Sequence, residues 1–389
     1  MKFLIVSTRF GLVSALLLMW GCDFWEARFR KDEGEKGGDE NLIRELGVEG
    51  DPRIYLETRV YMGKVFRFVV AIDGITEKEF GEGLSESSVH LRERAAESCR
   101  KAYEEVAAVE GLMSSYLRSS QISAMNRQSL NDLKAGKQYT GPFEVDDDVL
   151  LVIREATQVS RLSNGAFDVT FAAAGDLWYD KEKREGRVPS EDELEEILGR
   201  VDYRKLLIDL PKRRVTMAAG QQLGLGGIVK GYALDRAAFT LRSEGFRNFV
   251  VYSGGDVYVS GRHPDRSWRI GIRHPRKKGE YFANLDVTDV AVVTSGDYDR
   301  YFEVDGKRYH NVLNPKTGRP IEGMRSVTVI SDRAVYSDAM ATALFVMGID
   351  EGKRLVARLS DTEAVFVDAK NKVVVTSGLK SHIRMLGSL

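Results

Sequence analysis

Apolar residues recur along this chain with two different periods, and the changes between them mark its elements. Between Arg53 and Asp73 apolar and polar residues alternate on both sides of Tyr61-Met62-Gly63-Lys64, the pattern of two strands joined by a tight turn. From Ser87 to Met113 the period lengthens. Leu91, Ala95, Cys99, Ala102 and Val106 fall on one face and predict a long helix, with Ser87 or Ser88 at its N-cap. Residues 114–128 are polar and read as a loop. A second helix is expected from Asp146 to Leu162, opened by a run of aspartates that suits the positive end of a helix dipole.

Beyond Ser163-Asn164-Gly165 the run AFDVT sets Asp168 and Thr170 on one side of an extended segment. A short acidic helix follows over Ser190 to Leu198, then a hairpin around Pro211-Lys212. GLGGIVKG (224–231) forms a tight turn ahead of a helix carrying Ile228, Leu234, Ala237 and Leu241 at helical spacing. NFVVYSGGDVYVSG predicts two short strands around Ser253-Gly254-Gly255-Asp256. WRIGIRHP, VAVVTSG, YFEV, YHNVLN and SVTVIS add further strands. A helix from about Ser337 to Met347, another near Gly352 to Leu359, and the strands AVFVD and KVVVTS complete the chain. No regular strand–helix–strand repeat is present. The expected class is therefore α+β, a single large domain with mixed or antiparallel sheets and flanking helices.

Composition changes this picture little. Net charge is −1 over 389 residues, without a basic stripe or zinc-finger spacing, which excludes nucleic acid as the expected partner. The N-terminus changes it more. Lys2 and Arg9 precede an apolar run of eleven residues, GLVSALLLMWG, and Cys22 follows. That run is too short for a hydrocarbon core of ~30 Å and fits an export signal. The small residue before Cys22 makes residues 1–22 look like a lipoprotein signal, with Cys22 as the lipidated residue. Residues 23–52 then read as a flexible tether and 53–389 as the domain. The expected location is the bacterial cell envelope, anchored by lipid at the inner membrane and facing the periplasm. Cys99, the only other cysteine, belongs to a helical apolar face and reads as core.

The stretch from Thr294 to Thr342 gathers most of the candidate chemistry. Asp338 and Thr342 are four residues apart, so a helix places both on one face. A carboxylate and a hydroxyl there suit a hard cation, although an Asp in a first turn equally caps a helix. The glycines of GLGGIVKG can expose amides to a phosphate, with Lys230 adding charge; a plain turn with an outward lysine reads as well. Ser253-Gly254-Gly255-Asp256 is an ordinary hairpin signal that would also let a flat ligand approach bare backbone. The five histidines have no HxxxH or HExxH spacing, so zinc is not expected.

Taken together and in order, YMGK (61–64), MSSYLRSSQISAMN (113–126), NGAFDVT (164–170), LGGIVKGYALD (225–235), YSGGDVYVSG (252–261), TSGDYDRYF (294–302), NVLNPKTGRP (311–320) and SDAMATALFVMG (337–348) resemble the ApbE family, the FAD:protein FMN transferases. The resemblance implies a T-fold-related α+β domain. It implies an enzyme that takes FAD as substrate and Mg²⁺ as cofactor, transfers FMN to a Ser or Thr hydroxyl of an acceptor flavoprotein, and releases AMP. It carries Asp338, Thr342 and the backbone of Gly227 over as metal ligands. For the flavin it carries over Met62, Tyr116, Ala166, Phe167, Asp168, Lys230, Ser253, Gly254, Gly255, Asp256, Thr294, Ser295 and Gly296. Asn311 falls where the family keeps a histidine, Asn314 where it keeps an aspartate, and Gly224 where it keeps another aspartate. Asparagine can hydrogen-bond but cannot take up a proton as a base. Asn311, with the adjacent His310, marks the catalytic position. The alternatives to transfer are hydrolysis of FAD to FMN and AMP, and a flavin-binding lipoprotein without turnover.

Overall fold

The computed structural model describes residues 46–72, 88–180, 185–387 and 389. The first strands, β1 (Ile54–Tyr61) and β2 (Lys64–Ala71), pair antiparallel around the expected turn, from Ile54 opposite Ala71 to Tyr61 opposite Lys64. Met62 and Gly63 both have positive φ, 53° and 65°, which gives the turn the twist a two-residue hairpin needs. A helical block follows: α1 (Ser88–Met113), α2 (Gln121–Lys134), then β3 (Tyr139–Glu144) and α3 (Asp147–Leu162). The short α4 (Ala172–Leu177), β4 (Tyr179–Asp180), β5 (Glu185–Gly186), α5 (Glu191–Leu198), β6 (Leu207–Asp209) and β7 (Arg214–Ala218) form an outlying layer. The second half holds α6 (Val229–Ser243), β8 (Phe249–Ser253), β9 (Asp256–Ser260), β10 (Trp268–Arg273), β11 (Tyr281–Val287), β12 (Val290–Gly296), β13 (Tyr301–Val304), β14 (Lys307–His310), β15 (Met324–Ser331), α7 (Ala334–Val356), β16 (Glu363–Asp368), β17 (Val373–Val375) and β18 (Ile383–Met385).

Eight strands make the central sheet, in the order β1-β2-β8-β9-β12-β15-β16-β17, and every pair in it is antiparallel. Both faces are covered, which is why β8 and β9 read as unbroken buried runs rather than as alternation. One face, with Phe66, Phe68, Phe249, Val251 and Val293, packs on α1, α3, α6 and α7. The other, with Val69, Val250, Tyr252, Val257 and Val292, packs on the small sheet β10-β11-β18 through Trp268, Ile270 and Phe282. Fully burying each of these large side chains stabilises the fold by roughly 1.5–3 kcal/mol. Phe68 also stacks on Tyr103 of α1, centroids 4.0 Å apart, and so ties sheet to helix. The α+β class with antiparallel sheets and flanking helices is the one the sequence leads to. Cys99 is fully buried in α1, and burial pushes its thiol pKa up.

Four local expectations change. Residues 121–134 are helix, not loop: Ser120 Oγ caps α2 by accepting the Ser123 amide at 3.1 Å. Its buried face escapes an apolar pattern because Asn126 and Asp132 lie on it, satisfied by Leu223 backbone and by Thr140. The strand expected through YHNVLN stops at His310. The two C-terminal helices are one element, α7, broken locally at Gly348, where φ is 74°. Residues 46–52, expected in the tether, lie against the domain: Leu46 and Val48 are buried in the second core, and Arg266 donates to the Leu46 carbonyl at 2.9 Å. Cys22 and the rest of the tether lie outside the described residues, as does Ser87. Among the described residues no helix is long and apolar enough to cross a membrane.

Candidate active site

Two helices and two strand ends build the site. Helix α6 follows the glycine turn at 224–228, and α7 packs across it. Gly231 makes that crossing possible, since a Cβ there would overlap the Ala334 carbonyl. Asp235, one turn further along α6, accepts the amides of Ala334 and Val335, each at 2.8 Å, and so holds the first turn of α7. Burial raises its pKa to about 6 against those two bonds. The crossing brings Lys230 of α6 to Asp338 of α7 at 3.3 Å, and the same ammonium pairs with Asp256 at the start of β9.

This triad is buried and short of positive charge. Asp256 and Asp338 side chains are 3% and 4% exposed, with one lysine between two carboxylates. Each carboxylate has one oxygen held by backbone: Asp338 Oδ2 accepts the Gly231 amide at 3.0 Å, and Asp256 Oδ1 the Thr294 amide at 3.2 Å. Burial raises the pKa of Asp338, opposed by Lys230 and reinforced by Asp256. For Lys230 burial works against the charge, but Asp256 and Asp338 outweigh it and raise its pKa.

One turn along α7, the Thr342 hydroxyl lies 3.2 Å from Ser295 Oγ of β12. Gly227 sits between Thr342 and Phe167: a Cβ there would stand 3.3 Å from Thr342 Oγ1 and 3.2 Å from the Phe167 ring. Ser253 projects from the same face of the sheet as its cross-strand partner Asp256, and its buried hydroxyl has no protein partner. Asp338 and Thr342, one turn apart on α7, present oxygens beside the bare backbone of Gly227, which suits a hard cation and a phosphate.

The remaining candidates divide into four groups. Ala166 and Phe167 are buried next to the Gly227 turn. The Met62 amide, in the β1–β2 turn, donates to Glu110 of α1 at 3.1 Å, and Tyr116 follows the end of α1, its amide donating to Ser114 Oγ at 3.2 Å. Burial raises the Glu110 pKa, opposed by the bond from Met62. Asp168 turns the chain instead of lying along an extended segment. Its Oδ1 accepts the Thr170 amide and hydroxyl at 2.8 and 2.6 Å, and Oδ2 accepts the Tyr203 amide at 2.9 Å.

The sheet itself separates the last group. Thr294 points to the face opposite Ser295 and bonds Thr328 at 2.8 Å. With Gly254 and Gly255, φ 57° and 105°, it lines a small cleft that also contains Arg273, Tyr298 and Asp299. Arg273, which donates to the Tyr252 hydroxyl at 2.6 Å, was not among the sequence candidates. Gly296 ends β12 beneath the Tyr298 ring.

His310 faces inward. Nε2 lies 2.8 Å from the Ile321 carbonyl, Nδ1 accepts the Val312 amide at 3.2 Å, and the ring meets Phe345 edge-on. Burial lowers its pKa. Both nitrogens are thus engaged by backbone, which leaves neither to a substrate. Asn311 is exposed beside it, and Asn314 shapes the following turn by accepting the Lys316 amide at 2.9 Å. At Gly224 a Cβ would approach Ala172 Cβ to 3.0 Å, so a larger residue would need Ala172 to shift.

Comparison with known proteins gives one consistent answer. Residues 75–366 match the ApbE family. A Treponema pallidum protein named FAD:protein FMN transferase is 31% identical over 317 residues, covering 75% of this chain and 84% of that one. A Vibrio cholerae protein of the same name is 33% identical over 255 residues, 63% of this chain and 71% of that one. The crystal structure of the ApbE protein from Thermotoga maritima superposes with a TM-score of 0.71 at 30% identity, covering 85% of this chain and 99% of that one.

Proposed function

The chain belongs to the ApbE family, and from that premise we propose that it is an Mg²⁺-dependent flavin transferase that moves FMN from FAD to a Ser or Thr hydroxyl of an acceptor protein and releases AMP. The observation that carries this reading is the convergence of Asp338, Thr342, Gly227 and Lys230, from two helices and a turn, beside the unpaired hydroxyl of Ser253.

Asp338, Thr342 and the Gly227 backbone would hold the cation, an oxygen-only set of the kind Mg²⁺ accepts with phosphate oxygens and water completing its shell. Bound Mg²⁺ would neutralise the pyrophosphate and favour departure of AMP. The protein's own groups do the rest. Lys230 adds positive charge beside the phosphates. Ser253 and Ser295 present hydroxyls on the same sheet face, and Phe167 closes the Gly227 side against water. Met62 in the β1–β2 turn and Tyr116 after α1 would contact the flavin.

Asn311 supplies hydrogen bonds without a base, and His310 is occupied by backbone. In this reading the acceptor hydroxyl loses its proton to solvent or to the leaving group rather than to a protein imidazole. Those two residues support a second reading, flavin binding without turnover. The charged N-terminus, short apolar run and Cys22 support a lipid anchor in the cell envelope, at the inner membrane and facing the periplasm.

Incubation of the purified protein with FAD and Mg²⁺, with and without a threonine-bearing acceptor, tests these readings by chromatography of AMP. AMP only with the acceptor, together with a flavinylated product, is the expected result. AMP without it indicates hydrolysis, and FAD binding with no AMP in either case overturns the transferase.

A further inference from the structure

The triad Lys230–Asp256–Asp338 has a property that the assignment of Asp338 to a cation does not explain. The ammonium already stands where a positive charge is needed. It pairs with Asp256 and reaches Asp338 Oδ1 at 3.3 Å, on a four-carbon side chain that is 26% exposed as a whole. Both carboxylates are fixed from behind by backbone amides of Gly231 and Thr294, so each offers Lys230 its free oxygen. The carboxylates are rigid, and the lysine is the movable part.

We propose that Lys230 is the resting counter-ion of Asp256 and Asp338 and competes with the divalent cation for Asp338, with Asp256 receiving the ammonium when the cation enters. This rests on the reading that Asp338 is a cation ligand. The physical reason is repulsion. An ammonium and a divalent cation held against the same carboxylate repel each other, the more strongly because the site is buried. Lys230 and the cation therefore cannot both lie against Asp338. Asp256 provides the alternative, because the same ammonium already pairs with it. Without Lys230, two buried carboxylates would face each other uncompensated and would bind a cation indiscriminately. With it, the empty pocket stays neutralised in part, and cation affinity is set below what the two carboxylates alone would give.

Mn²⁺ binding to the purified protein without flavin tests this, read by the electron paramagnetic resonance of free Mn²⁺. Lys230→Gln is expected to bind Mn²⁺ at least about tenfold more tightly than the wild type. Asp256→Asn, which leaves the ammonium with Asp338 alone, is expected to bind it about tenfold more weakly. Lys230→Arg, which keeps the charge, should not tighten binding. Equal or weaker binding by Lys230→Gln, in protein whose circular dichroism is native, overturns the competition. If Lys230→Gln does not fold, unchanged or tighter binding by Asp256→Asn overturns it. Asp338→Asn separates the two ideas: if it binds Mn²⁺ like the wild type, the cation assignment itself falls. If it abolishes binding while Lys230→Gln matches the wild type, only the competition falls.

Discussion

The triad of Lys230, Asp256 and Asp338 and the loop from His310 to Asn314 use buried polar groups in opposite ways. In the triad two carboxylates share one ammonium, and the hydroxyl of Ser253 nearby has no partner. In the loop every buried polar atom of His310 meets backbone, and Asn314 caps the turn that follows. Unsatisfied charge costs stability and is retained where a ligand can satisfy it; satisfied polar groups hold shape. The difference separates a place for chemistry from a place for architecture, although both lie in the stretch that carries the family's motifs.

The sharpest way to break this comparison is Asp338→Ala. Loss of a cation ligand should reduce Mg²⁺-dependent AMP release more than the roughly 10–100-fold that loss of an outer partner costs. The change also leaves the Gly231 amide without its acceptor, so AMP release is compared in protein whose circular dichroism is native. Activity with unaltered metal dependence would exclude Asp338 from the site.

His310→Ala should do the reverse. It leaves the Val312 amide and the Ile321 carbonyl unpaired and opens space against Phe345, which costs about 2–4 kcal/mol in urea unfolding. Mn²⁺ affinity should not change. In contrast, Asn311→His places an imidazole at the exposed neighbouring position. If a base is what this loop lacks, AMP release should rise by about 100-fold or more, with unfolding unaffected. No gain would mean that the loop contributes no proton transfer.

A smaller effect should link the two helices through Asp235. Its pKa is raised from the ordinary carboxylate value to about 6 because burial disfavours the charge. The folded state therefore takes up this proton before the unfolded chain does. The ionised carboxylate costs stability above pH 6, and that cost is relieved as pH falls from about 6 toward 4. Urea midpoints measured across this range should show a component of that sign, which Asp235→Asn removes. A component of opposite sign would contradict the burial argument. The smallest effect is expected for Asn314→Asp. Aspartate can accept the Lys316 amide just as asparagine does, so stability should change by less than about 0.5 kcal/mol.

Much of the fold is legible in local pattern. The register of β1 with β2, the α1 face carrying Cys99, the capping box of α5 at Ser190 and Glu193, and the β8–β9 turn at Gly254-Gly255 each follow from residues close together in sequence. Helix α2 is missed because its buried face is polar, and it becomes stable only when Asn126 and Asp132 meet Leu223 and Thr140. Asp235 shows the same limit in the site: its role is to cap a helix that begins 99 residues later, so no local signal could announce it.

By itself the sequence determined periodicity, turns, the order of the motifs and the pairing of Asp338 with Thr342 on one helical face, because these depend on spacing along a single element. Only the tertiary structure decided which groups meet. It set Lys230 between Asp256 and Asp338, brought Thr294 to Thr328 and Ser295 to Thr342, and turned His310 into the core while leaving Asn311 outside. Those outcomes follow from helix crossing and strand register, which fix distances between residues far apart in the chain.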